Sequence, residues 1–297
     1  MRKVIVTTDQ PEVARKLQGT YTKHTHYDRE HRFSDDVEVV TGEGRLIGRL
    51  FSGKLSDSAL DKAYETIHAI KTPLTRRGRV VGKGAMMPRL NKDGTVSNMI
   101  EIPKRVQKLV GYADTIGWLG VSKEYPHGRI TSYTKSHPKA RPALTPVLRE
   151  IDKLFYEEYP AAHAWQAEGY GDNVANWYGN FGHDTAFGSC YGNNEVRSAY
   201  HRDAANLGGS LSALFTMGDY EGGGLVLPRF RVAFDLYPGD LLLFHGDDIH
   251  GVLPYKGHRC SGVFFSAAHW GDFWEDVELP VDVSLEQLIN QALKNPA

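Results

Sequence analysis

Apolar residues recur at two different periods along this chain, and the period changes near Ala164. In the first half the spacing is helical. Ser56 or Asp57 can cap a helix in which Leu60, Ala63, Tyr64, Ile67 and His68 share one face, ending near Ile70 ahead of Pro73. Thr145 is a second N-cap candidate, with Pro146 at the first helical position. The stripe Leu148, Ile151, Leu154, Phe155 follows, and Pro160 lies past its end. Near the C-terminus, Ser284 and Gln287 form a capping box before Leu288, Ile289 and Ala292. Ile102–Val110 reads as a further short helix or turn.

After Ala164, glycine, aromatic and β-branched residues come in short runs. Strands are predicted over Ser210–Met217, Gly224–Leu227, Val232–Leu236, Asp240–Phe244 and Gly262–Ala268. Gly218-Asp219, Glu221-Gly222-Gly223-Gly224, Pro238-Gly239 and Lys256-Gly257 separate them as turns. Short strands at this spacing imply a β-sandwich or barrel. Val4, Ile5 and Val6 add a strand-like run at the N-terminus. No internal repeat or low-complexity segment interrupts the pattern.

Composition narrows the classes. With 41% hydrophobic and 24% charged residues over 297, disordered, collagenous and coiled-coil chains are excluded. Two cysteines, Cys190 and Cys260, cannot build a disulfide scaffold or a four-cysteine zinc site, whereas 13 histidines leave room for a histidine-based one. The first 16 residues show no apolar signal core, no run reaches the roughly 18 apolar residues of a membrane span, and no lipid-anchor motif is present. A soluble intracellular protein, nuclear or cytoplasmic, is expected. The net charge of -1 conceals a split: Lys71–Arg141 carries 15 Lys and Arg against four acids, a net of +11, and the remainder is at -12. Such a segment can meet a polyanion or serve as solvated loops.

The chemistry gathers around His201-Arg202-Asp203. Two residues apart on an extended strand, His201 and Asp203 share a face and can hold one ion. His250, after the buried run Leu241–Phe244, can supply a third ligand. Two histidines and a carboxylate match the facial triad of non-haem Fe(II) oxygenases, which leaves positions open for a co-substrate and dioxygen. Arg259 and Ser261 follow on another apolar run and share a face. A guanidinium there can bind a buried carboxylate in bidentate fashion.

In this order of motifs, Gly188–Trp270 resembles the core of the Fe(II)/2-oxoglutarate-dependent dioxygenases. Asn193-Asn194, the segment His201–Asn206 and the turn Gly222–Pro228 resemble the TET/JBP group, which oxidises the 5-methyl group of thymine or 5-methylcytosine. The resemblance implies an α+β protein with a double-stranded β-helix (jelly-roll) core, flanking helices and an N-terminal α/β elaboration packed on it. The whole chain is read as a single catalytic domain over 1–297, with an N-terminal α/β support region 1–160, the jelly-roll core 161–275 and a C-terminal helix 276–297, of which the resemblance covers Gly188–Trp270. The resemblance also implies His201, Asp203 and His250 as iron ligands, Arg259 with Ser261 as the anchor for 2-oxoglutarate, and dioxygen as the other reactant, with ascorbate as accessory reductant. DNA is the expected partner. The alternative is hydroxylation of a protein side chain or a small metabolite.

Substrate contacts are read more loosely. Tyr170, Trp177, Tyr178, Phe181, Phe187 and Tyr191, interleaved with Asn173, Asn176, Asn180, Asn193 and Asn194, could stack on and read an extruded base, or simply build core. Asn176, Asn193 and Asn206 are the amide candidates. His245, at the end of the strand five residues before His250, is a candidate contact to substrate or behind the metal ligands, a role Asp247 and Asp248 can share; the alternative is a turn cluster at the barrel mouth. In Arg76–Gly84, Arg77 can grip a phosphate, reach the metal site or sit on a surface loop. His24, His26 and His31 read as surface residues.

Overall fold

The computed structural model describes residues 2–73, 86–90, 96–101, 111–119, 129–168, 185–203 and 206–267. In chain order the elements are β1 (Arg2–Val6), α1 (Pro11–Leu17), β2 (Arg32–Phe33), β3 (Val37–Thr41), β4 (Leu46–Phe51) and α2 (Asp57–His68). There follow β5 (Met86–Leu90), β6 (Val96–Glu101), β7 (Tyr112–Leu119), β8 (Arg129–Ile130), α3 (Ser132–Ser136), α4 (Ala140–Glu158) and α5 (Pro160–Glu168). The last stretch is all strand: β9 (Ser189–Asn194), β10 (Ser212–Gly222), β11 (Leu225–Leu227), β12 (Val232–Phe234), β13 (Leu241–Phe244), β14 (Gly251–Val252) and β15 (Tyr255–Phe265).

Two sheets carry the architecture. The larger runs β1-β3-β4-β13-β10-β15-β9-β7-β8, and the smaller β14-β11-β12-β2. Strand alternation sends neighbouring side chains of the larger sheet into two separate cores. Leu214, Leu242 and Phe244 join Phe33, Leu225, Val232 and Phe234 of the smaller sheet in one apolar cluster. Ala213, Phe215, Leu241, Leu243, Cys260 and Phe264 point the other way and pack with α2 and α4. The run Leu241–Phe244 is uninterrupted because both of its faces are buried.

The α4 helix braces the larger sheet from outside through Leu144, Val147, Leu148, Ile151 and Phe155. Each such buried side chain contributes about 1.5–3 kcal/mol relative to exposure. The helix starts at Ala140 rather than Thr145, and Pro146 lies inside it. Burial of the apolar stripe outweighs the missing amide of Pro146, and the Thr145 hydroxyl bonds back to the Arg141 carbonyl instead of capping. Pro160 opens α5 instead of merely following α4. Ser56 precedes α2 as expected, yet its hydroxyl and amide bond Glu150 of α4, at 2.6 and 2.8 Å.

The N-terminal half does more than pack on the β-rich half, as α2 and α4 do. Its strands enter both sheets: β4 pairs with β13, β7 with β9, and β2 with β12. The predicted strands all exist with shifted ends, and the two longest, β10 and β15, pair from Ala213↔Phe264 to Gly222↔Tyr255. The Ile102–Val110 and Ser284–Ala292 helices lie outside the described residues. Among the described residues no helix is long and apolar enough to cross a membrane.

Candidate metal centre

His201 and His250 face each other across an isolated antiparallel bridge, exchanging two backbone hydrogen bonds of 3.0 Å. Their rings lie 4.4 Å apart. Asp203 is not on a regular strand with His201. Its amide bonds the Gly246 carbonyl at 2.9 Å, so a cross-link between two loops, not strand alternation, turns its carboxylate toward the histidines. Arg202, between the two, adds a third tie through Nε to the Asp247 carbonyl. One ligand atom from each of His201, Asp203 and His250 then lies within 4.8 Å of the others.

The tautomers are set for ligation. Nδ1 of His201 meets the Ala199 carbonyl at 2.8 Å, and Nδ1 of His250 meets the Asp248 carbonyl at 2.9 Å. A carbonyl only accepts, so each Nδ1 carries the proton and each Nε2 keeps its lone pair. Those nitrogens point at Asp203, at 3.5 and 3.7 Å from its oxygens. Burial, with His201 alongside, holds His250 down to about 4, so it is neutral near pH 7. Burial acts in the same sense on His201, but the Asp203 carboxylate outweighs it and raises its proton affinity. The same negative field favours a cation. Two neutral-capable imidazoles and one carboxylate are a donor set that fits Fe(II).

Gly246 leaves room for this packing. A Cβ there would stand 2.7 Å from Asn206 Nδ2 and Ser212 Oγ, and 3.0 Å from Asp203 Oδ2. Asn206, read as a substrate contact, donates its amide to Ser212 Oγ at 2.9 Å beside that carboxylate. His245 stays out of the triad, with Nδ1 3.3 Å from the Ser210 carbonyl, and burial lowers its proton affinity. Asp248 is buried and ion-paired with Arg45 and Arg229. His26 is no free surface residue either, since its ring meets the hydroxyl of Tyr200 next to His201.

Arg259 sits on the same face of β15 as Ser261, and both are buried. The guanidinium lies over the rings of Tyr220 and Tyr255, at 5.4 and 5.8 Å. Among the described residues its Nε has no hydrogen-bond partner and it forms no ion pair with an acid. Burial lowers its proton affinity. A buried cation without a counter-charge is costly, and a carboxylate ligand would relieve that cost. Gly223 makes the room, for a Cβ there would stand 2.9 Å from Arg259 Nε. The Glu221–Gly224 turn is legible in the sequence, but this reason for its glycines is not. Tyr220, bonded to Thr216 and the Leu236 carbonyl, gives no sequence signal at all.

Asn193 lies opposite Ser261 in the β9–β15 register and opposite Ala113 in β7. Cys190, packed with α2 and α4, marks the other face of β9. Alternation therefore puts Tyr191 and Asn193 on the side of Ser261. Phe187 is core, packed with Phe155 and Phe264, and is not free to stack on a base. Arg77 and Asn176, with Tyr170, Trp177, Tyr178, Phe181, Asn173 and Asn180, lie outside the described residues, as do nine of the 15 Lys and Arg of the basic segment.

No family model matches the chain. Thymine dioxygenase JBP1 of Leishmania major is 24% identical over 272 residues, covering 88% of this chain and 30% of that protein. The bifunctional helicase and thymine dioxygenase JBP2 of Trypanosoma brucei brucei is 41% identical over 125 residues, 41% of this chain and 11% of its own. The chain is thus similar in sequence to thymine dioxygenases of the JBP kind. It spans less than a third of the JBP1 length. Among solved structures, NgTET1 in complex with 5mC DNA superposes with a TM-score of 0.53 at 16% identity, covering 88% of this chain and 92% of that one, which shows a shared fold.

Proposed function

We propose that this chain is an Fe(II)/2-oxoglutarate-dependent dioxygenase that oxidises the 5-methyl group of a pyrimidine base, 5-methylcytosine or thymine, in DNA. The observation that carries the reading is the His-Asp-His set with both Nε2 atoms turned inward; a buried Arg259 guanidinium that pairs with no acid among the described residues supports it. The relatives' names supply the substrate class: thymine for JBP1 and 5mC DNA for NgTET1. The two facing sheets are read as the jelly roll of that superfamily, within one catalytic domain.

In this reading His201, Asp203 and His250 hold the iron, with the backbone carbonyls of Ala199 and Asp248 fixing the ring orientations. Iron and 2-oxoglutarate together supply an oxidant for dioxygen-dependent attack on an unactivated C–H bond. Arg259 pairs with the distal carboxylate of 2-oxoglutarate, and Ser261 adds a hydroxyl. Phe244, edge-on to His250 at 5.0 Å, helps exclude water. Asn193 is the best-placed amide for the edge of an extruded base, since it shares the face of Ser261. Arg77, Asn176 and His245 are assigned to the substrate side. Lys71–Arg141 is assigned to the phosphates, where lysine and arginine neutralise charge without reading sequence.

The test is nucleoside mass spectrometry after the purified chain meets Fe(II), 2-oxoglutarate, ascorbate and methylated DNA. Oxidised 5-methyl groups are expected. Succinate formation with no oxidised base would overturn the DNA assignment in favour of a protein or metabolite substrate.

A further inference from the structure

Asp248 stands two residues before His250, and its carboxylate is clamped far more firmly than a turn requires. It is 6% exposed, with Arg45 Nη2 at 2.7 Å from one oxygen and Arg229 Nη1 at 3.3 Å from the other. Arg229 is itself held by both oxygens of Asp9, at 2.6 and 2.8 Å. Both guanidiniums lie over the ring of Phe230, at 5.7 and 4.9 Å. The clamp thus draws on the chain after β1, the β3–β4 turn and the β11–β12 turn, three segments remote in sequence.

Charge-assisted hydrogen bonds of this kind fix a carboxylate in both position and orientation. The backbone of the same residue is fixed with it. That backbone supplies the carbonyl which takes the Nδ1 proton of His250 at 2.9 Å, while the Asp248 amide closes a turn onto the His245 carbonyl. Ala199, which plays the same part for His201, has no side chain that could be held this way. The two histidines are therefore oriented by different means: His201 by backbone alone, His250 by backbone locked to an ion network.

We infer that the Arg45–Asp248–Arg229 clamp is a positioning device for the metal site. It holds the carbonyl that keeps the proton on Nδ1 of His250, and so keeps Nε2 free and aimed at the metal. Asp248 touches neither metal nor substrate; it acts through His250. The inference rests on reading His201, Asp203 and His250 as the metal site.

The test compares Co(II) binding by the full wild-type chain with that of Asp248→Asn and Arg45→Met, alongside melting of each metal-free protein. In chains labelled with 15N-histidine, the ring nitrogens report the His250 tautomer. Asp248→Asn is expected to weaken Co(II) by about 10-fold and Arg45→Met by about threefold, at or below the low end of the loss seen when an outer partner of a metal-bound histidine is removed, because the Asp248 carbonyl stays and only its clamp is loosened. The Nδ1–H signature of His250 should broaden or be lost. Arg45→Met leaves Arg229 on Asp248, so it decides alone if Asp248→Asn does not fold. A folded variant that melts lower but binds Co(II) as wild type does, with its tautomer intact, overturns the inference: the clamp is then only a structural tie. A wild-type chain that binds no Co(II) overturns the metal reading first, and this inference with it.

Discussion

Replacing Arg259 by Met separates the two consequences of a buried cation. In the free chain the guanidinium is 2% exposed, is packed between Tyr220 and Tyr255 and pairs with no acid among the described residues. Met removes the desolvation cost together with a cation–π contact of about 1–2 kcal/mol. These offset, so the ligand-free variant should match wild type within about 1 kcal/mol, where truncating a buried paired charge would cost about 3–5 kcal/mol. Ligand affinity behaves otherwise. Losing the cation opposite a buried carboxylate costs about 3 kcal/mol. That raises the dissociation constant of 2-oxoglutarate roughly 100-fold. With the dicarboxylate at about 100 times the wild-type constant, linkage stabilises wild type by about 2.7 kcal/mol and the variant by about 0.4 kcal/mol. At roughly 2–4 °C per kcal/mol, the wild-type melting temperature rises about 5–10 °C and that of the variant about 1 °C. The assay is thermal melting with and without 2-oxoglutarate, in Mn(II) as a redox-inert stand-in. A variant that melts many degrees lower without ligand, yet keeps the full 2-oxoglutarate shift, would refute the argument and make Arg259 a structural cation.

Other outcomes follow from the same geometry. His201→Ala and Asp203→Ala should each abolish turnover while near-UV circular dichroism stays native, because neither side chain belongs to an apolar core cluster; full activity in either removes the site assignment. Gly246→Ala places a methyl against Asn206, Ser212 and Asp203, so melting should show a loss of about 1–3 kcal/mol and Co(II) titration a weaker site. Glu38 gives a pH signature. Burial pushes its carboxyl up, but Lys3 at 2.6 Å and the Tyr159 hydroxyl at 2.8 Å outweigh that and hold it below its ordinary 4.5. The folded state therefore binds this proton less readily than the unfolded state. The stability it lends is complete above 4.5 and is lost as pH falls through the lower folded value. Glu38→Gln should flatten the acid limb of the melting profile, and an unchanged limb would place the acid sensitivity elsewhere.

The sequence by itself determined the elements whose signal is local and the chemistry whose signal is spacing. Helix α2, the buried stripe of α4, the strands β10 to β13 and the end of β15 follow from periodicity and turn residues, which act over a few positions, whereas Gly218-Asp219 and Lys256-Gly257, expected as turns, lie inside β10 and β15. His201, Asp203 and His250 were grouped from type and spacing, and the structure brings one candidate ligand atom of each within 4.8 Å of the others; Arg259 and Ser261 were paired by spacing as the proposed anchor. Tertiary structure decided what depends on partners far along the chain. Strand β9, Ser189–Asn194, has no alternation of its own and exists through its pairing with β15 and β7. The start of α4 moved from Thr145 to Ala140 because burial outweighs the local preference of Pro146. Asp248 sits at the centre of an ion network that the sequence does not announce, since Arg45 and Arg229 reach it from other turns. The Asp203 carboxylate converges on the histidines through the amide bond to Gly246, whose missing side chain leaves space that no periodicity could announce. Identity and order of reactive groups are written in one dimension. Their orientation is fixed by contacts between segments that only folding makes neighbours.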